Sequence, residues 1–239
     1  MNLKTTLLVF WPLLLSVCQL RAQQAGSYEA VVVGAMRDAM WKGQVYGRIS
    51  LDTITGRQHL YGLGPVEYLA GELMIMDGQC YRSTVVTDST MRVEEVQQVK
   101  APFFAYTHID NWTAHDLPGG IRDIAQFETY LDSLTKNLKR PFMFRLSGMV
   151  EAAAIHIVNM PKGTVVRSPN DAHKGKTDYR LADEQSDIVG FFSTAHQTIF
   201  THHDTFLHMH LITADRQKMG HLDEVLFRPG AVKLYLPAE

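Results

Sequence analysis

Apolar and polar positions alternate with a period of two along most of the chain. They form short runs rich in β-branched and aromatic residues, separated by Gly, Pro, Asn and Asp, and this pattern predicts strands and turns. The runs lie at 28–33, 72–76, 103–109, 142–146, 188–192, 206–213 and 232–236. One segment has helical spacing instead: Ile121, Ile124, Phe127, Leu131, Leu134 and Leu138 recur every three or four residues. That spacing predicts a helix over 121–138, ended by Arg140-Pro141. Shorter helices are expected near 35–41 and 50–55. The stretch 161–186 interleaves Gly, Pro, Asn, His and Lys with brief apolar runs, which predicts a long loop. The fold class expected from this pattern is β-rich α+β with few helices.

Three hairpins follow from turn chemistry. Asp77-Gly78 between two apolar runs predicts a tight two-residue turn, with Glu72, Met74 and Met76 on one face and Leu73 and Ile75 on the other. Ser147-Gly148 predicts a second turn, with Arg145 opposite Val150. In the third, His208 and His210 share one face of a strand, and a turn centred on Asp215-Arg216 brings His221 directly opposite His210.

The chain opens on Lys4, an apolar stretch over 7–17 and then Leu20-Arg-Ala22, the order of a secretory signal peptide cleaved after Ala22. This predicts an exported protein, periplasmic or secreted, with no membrane insertion after cleavage, because the apolar run is short of the roughly 20 residues that span a bilayer. The remaining 217 residues suffice for one large domain or two tightly packed halves. They retain Cys80 alone of the two cysteines, so no intramolecular disulfide is expected. The formal charge of −2 includes Lys4 and Arg21, so the processed chain carries −4, which disfavours nucleic acid as a partner.

Against this background the histidines stand out. Three imidazoles converging from two paired strands supply the three protein ligands of a catalytic zinc site, with a fourth position open to water or substrate. A solvated, histidine-rich strand end is the alternative, and the adjacent His202 and His203 are expected at the surface or behind the ligands. Glu72 enters a strand apolar on both faces, where a carboxylate needs a partner unless it sits at an exposed strand end. Arg145, between Phe144 and Leu146, needs an acid or an anionic ligand. A structural Arg145–Glu72 ion pair would satisfy both.

Four segments in order resemble the acetolactate decarboxylase family. Gly62-Leu-Gly64 followed by Gly71-Glu-Leu-Met-Ile-Met-Asp-Gly-Gln-Cys-Tyr81 is similar to its Gly-x-Gly, Asp-Gly-Glu-Leu and Asp-Gly run, and Arg145-Leu-Ser-Gly148 to its Arg-Ile-Asp-Gly. Ile188-Val-Gly-Phe191 resembles the strand before the ligands, and His208-Met-His210 with His221 matches its His-x-His, ten residues, His pattern.

The resemblance implies a homodimer with two related halves meeting near residue 140, mixed β-sheets, and zinc held by His208, His210 and His221. It implies decarboxylation of a small 2-hydroxy-3-oxo acid, 2-acetolactate, to acetoin and carbon dioxide through an enediolate. Glu72 would donate the proton and Arg145 would orient the departing carboxylate. There are departures: Ala70 and Ser147 replace aspartates, Met219 a glycine and Pro65 a threonine. The family's Arg-Thr-Arg-Thr-Val-Pro stretch is here Ala152-Ala-Ala-Ile-His-Ile-Val158, and its C-terminal arm has no counterpart beyond Pro237-Ala-Glu239. These departures leave room for a paralogue of altered substrate, or for a catalytically silent metal-binding protein. A cupin-like oxygenase or isomerase using the same histidines is a further alternative.

Overall fold

A computed structural model of the chain describes residues 28–201 and 204–238, so the expected leader and His202 and His203 lie outside the described residues. The N-terminal part runs β1 (Val31–Val33), α1 (Met36–Lys42), β2 (Ile49–Ser50), β3 (Leu60–Pro65), β4 (Glu72–Met76), β5 (Gln79–Thr87), β6 (Thr90–Glu95), β7 (Lys100–Ala101) and β8 (Phe104–His108). It continues through β9 (Trp112–Asp116), α2 (Ile124–Leu134), β10 (Phe142–Val158), α3 (Pro169–His173), β11 (Lys176–Phe192), β12 (Leu207–Thr213) and β13 (Met219–Pro237). The α+β class stands, with a short 3-10 turn over Leu51–Thr53 where a helix is expected near 50–55.

Two sheets carry the fold. The first has the order β1-β8-β3-β4-β5-β6, the second β10-β11-β12-β13-β9, and each ladder between these strands is antiparallel. A further pairing of β10 with β13 closes β10, β11, β12 and β13 into a ring. In β4 the alternation read from the sequence becomes two-sided burial. Leu73 and Ile75 pack with Leu60 and Phe104, while Met74 packs with Val189, Phe191 and Ile212 of the second sheet. The Asp77-Gly78 turn forms as expected, both residues at positive φ (48° and 84°), with Met76 opposite Gln79.

The helix α2 is shorter than its periodicity predicts. Asp123 caps it, accepting the Gln126 N–H at 2.8 Å, so the chain becomes helical only at Ile124. At the other end the Thr135 hydroxyl donates to the Leu131 carbonyl at 2.6 Å, six residues before Pro141. Its buried stripe, Phe127 and Leu131, docks on the ring of strands, with Phe127 edge-on to Phe144 and Phe227 at 5.2 and 6.0 Å. Truncating Phe127 would cost about 3–5 kcal/mol by the usual scale for buried aromatics.

Two expectations are corrected. Ser147-Gly148 is not a turn: β10 runs straight through it, and Arg145 faces Val189 and Tyr235 rather than Val150. Gly148 serves a close strand approach, since a Cβ there would stand 2.1 Å from the Ala231 carbonyl oxygen, beside a register shift between β10 and β13. The stretch 161–186 is not one long loop. Ser168 caps α3, and from Lys176 the chain is strand β11. Tyr179 and Leu181 point inward while Asp178, Arg180 and Ala182 face solvent, so the outward polar row masks an ordinary half-buried strand.

Candidate metal centre and its cavity

On β12 the two-residue period sets His208 and His210 side by side, and the ladder to β13 pairs His210 with His221. The turn register read from the sequence is therefore the one found. The three rings lie 5.0–5.5 Å apart between centroids, and their ligating nitrogens all fall within 4.8 Å of one another. All three residues are buried. Neither ring nitrogen of His210 has a well-formed hydrogen bond, an arrangement that costs free energy unless something else meets those nitrogens. Burial, then the charge of His156, pushes the His210 pKa down to about 3, with the backbone of Leu73 acting in the opposite direction. The ring is therefore neutral, the state in which imidazole ligates a metal. Donor type, number, spacing and protonation thus all fit a divalent ion.

Glu72 reaches this cluster from the first sheet. It is buried; one carboxyl oxygen accepts the Val158 N–H at 3.2 Å and the other lies 3.6 Å from Nε2 of His210. Burial raises its pKa well above the ordinary range, the Val158 N–H opposing and the charge of Asp223 reinforcing. Burial thus favours the protonated form of the Glu72 carboxyl, which lies against a neutral imidazole, and 3.6 Å is contact rather than a hydrogen bond.

A fourth imidazole, unforeseen in the sequence, completes the polar wall. His156 on β10 faces His221 across the ladder, with ring centroids 4.7 Å apart. Its Nδ1 is 2.7 Å from an Asp223 carboxylate oxygen, which Lys176 also approaches at 3.4 Å. Burial works against the Asp223 carboxylate, but His156 and Lys176 outweigh it and hold its pKa down. His156, His221 and Asp223 also form a second cluster of ligating atoms. The strands meet closely here: a Cβ on Gly220 would lie 2.6 Å from the His156 carbonyl oxygen. The departure over 152–158 was visible in the sequence. The register placing His156 beside His221 was not, because it depends on β10 continuing past Gly148.

Arg145 goes elsewhere. Its guanidinium lies over the Tyr235 ring, 4.4 Å from the centroid, and its Nε is buried without a hydrogen-bond partner. No Arg145–Glu72 ion pair forms among the described residues. The structure thus brings Glu72 to His208, His210 and His221, and leaves Arg145 out of the lining of the cavity beside them.

That cavity, about 260 Å³, has Glu72, His156, His208 and His221 in its polar wall. Pro65, Val158 and Leu69 flank them, and α1 and α3 cover the far side through Met36, Met40, Trp41 and Pro169. The arrangement suits a small polar group held at the imidazoles with the rest of the molecule against apolar surface.

Among curated proteins none matches the chain. Among solved structures, alpha-acetolactate decarboxylase from Bacillus subtilis strain 168 superposes with a TM-score of 0.72 at 21% identity, over 88% of this chain and 86% of that one. A Staphylococcus aureus protein of unknown function, similar to alpha-acetolactate decarboxylase, gives 0.70 at 16% identity over the same shares. Those likenesses establish the fold. Residues 33–236 match the family description alpha-acetolactate decarboxylase, so this chain belongs to that family of carboxy-lyase enzymes.

Proposed function

We propose that the chain decarboxylates 2-acetolactate or a close 2-hydroxy-3-oxo acid, giving acetoin or its homologue and carbon dioxide, with zinc held by His208, His210 and His221. The observation that carries this reading is the buried carboxyl of Glu72 beside three converging imidazoles, in a chain of this family. When bound there, a divalent ion supplies Lewis acidity for the negative charge that builds on the ketone oxygen as carbon dioxide leaves.

The remaining steps fall to the protein. The bond between the carboxylate carbon and C2 breaks, and its electron pair passes into the enediolate. Glu72, whose protonated form burial favours, returns a proton to C2 and recovers one from water. His156, its Nδ1 fixed by Asp223, presents Nε2 as the atom available to orient a substrate oxygen. Water is kept from the carbanion-like carbon by the apolar cover of α1. The family resemblance further supports a homodimer, and the leader-like residues 1–22 support export.

Racemic acetolactate supplied to zinc-loaded protein should yield acetoin and carbon dioxide. Zinc bound at one ion per chain with no acetoin formed would sink the substrate assignment.

A further inference from the structure

The cavity over the histidines is uneven in chemistry. Apart from Thr198, the described residues beyond its polar wall are apolar, Met36, Met40, Trp41, Leu69, Phe103 and Val158 among them, and none of them is a lysine or arginine. The two thioethers and the indole come from or adjoin one face of α1, a helix of seven residues. Leu69, Phe103 and Val158 are buried behind them, whereas Trp41 at the mouth is 49% exposed.

2-Acetolactate offers such a surface two methyl groups, which leaves most of it facing water. An apolar cavity of roughly 150 Å³ accommodates benzene. At about 260 Å³ this one has room for somewhat more than acetolactate, and the half-exposed Trp41 in its lining marks where it meets solvent. Methionine side chains are unbranched and polarizable and repack around alkyl groups of different shape, so the wall adapts to a chain rather than selecting one rigid outline.

We infer that the substrate is a 2-hydroxy-3-oxo acid bearing a larger apolar substituent than methyl, seated against α1. This rests on the decarboxylation reading above for the reacting end and on the cavity wall alone for the other end. The oxygen-bearing end sits at Glu72 and the imidazoles, and the alkyl group runs toward Met36, Met40 and Trp41. Each added methylene that leaves water for this wall raises affinity for substrate and transition state about fourfold, until the chain passes the mouth.

Two measurements on the full metal-loaded protein test this. The first is kcat/KM for acetolactate and for homologues lengthened by one, two and three methylenes, at C2 in one series and at the acyl end in another. The expected result is a rise of about fourfold per methylene in one series over at least two additions. The second is calorimetric affinity for saturated 2-hydroxy acids of the same lengths, which lack the 3-oxo group and cannot decarboxylate. The same rise is expected there.

Affinity that is flat or falls with length overturns the inference, and so does acetolactate outperforming every homologue while being turned over well. Affinity that rises with length while no acid is decarboxylated keeps the apolar subsite and removes the decarboxylation reading. Met40→Phe, which fills the wall, should level the series. If that variant fails to fold by thermal melt, Met36→Ala should weaken the longest analogue by fourfold or more and leave the shortest nearly unchanged.

Discussion

The ring of strands carries two polar stations on a single row of cross-strand partners, and they have opposite fates. The row runs from Arg145 to Val189, His210, His221 and His156, so β10 enters it twice, at positions eleven residues apart. That stagger is what closing a small ring of tilted strands requires, and it separates the two stations by about 36 Å of extended chain. At the His156 end the polar atoms face one another and a cavity. At the Arg145 end the guanidinium turns away from His210 onto an aromatic ring. Sharing a row therefore does not make two residues parts of one site. What matters is which way along the row the side chain leans and what it meets there.

His210→Ala removes the most buried of the converging imidazoles, and stoichiometric zinc binding and turnover should both fall to background. Retention of full zinc affinity by this variant would place the ion elsewhere, and the His156, His221 and Asp223 cluster would be the place to look.

Glu72→Gln should retain zinc and reduce turnover by about 10²–10⁴, the usual weight of a general acid. In metal-free protein the same variant should be the more stable one. Glu72 keeps its proton in the fold at pH values where the unfolded chain has lost it, so unfolding releases a proton and stability falls as pH rises above the ordinary glutamate value of 4.5. Glutamine removes this dependence and still accepts the Val158 N–H. The gain in Tm over the parent should therefore grow from pH 5 to pH 8, reaching about 2–4 °C for each ~1 kcal/mol. A constant gain across that range would show that burial does not hold the proton.

The two stations are compared directly by His156→Ala and Arg145→Ala. The first should lower turnover about 10- to 100-fold, as loss of a supporting residue beside ligands does, with little change in Tm. The second should leave turnover near that of the parent and lower Tm by about 2–4 °C, the mark of ~1 kcal/mol of lost packing. Equal losses of turnover would mean that both stations serve the reaction.

Much of the centre was legible in the sequence because it is local. Alternation alone puts His208 and His210 on one face, and a turn of ordinary length puts His221 opposite His210. Glu72 was legible as a carboxylate in an apolar strand, a local conflict that only a partner resolves. His156 was not, because its neighbour is 65 residues away and Ser147-Gly148 has the composition of a turn that would end its strand. Glycine there reports a close approach by β13, and nothing within a few residues distinguishes that from a turn. The strand β11 was lost for a related reason: its solvent face carries Asp178, Arg180 and Glu184, the last two paired to Glu224 and Lys218. One charged side of a half-buried strand resembles a loop.

Gly220 bears on where this enzyme can change. It sits against the carbonyl of His156 with no space for even a methyl group, so the floor beneath the imidazoles tolerates almost no mutational drift. The opposite wall is made of side chains from a seven-residue helix whose replacement disturbs no strand ladder. Variation, whether by natural divergence or in a directed library, is therefore free to retune which acid is accepted through α1 while the chemistry below stays fixed.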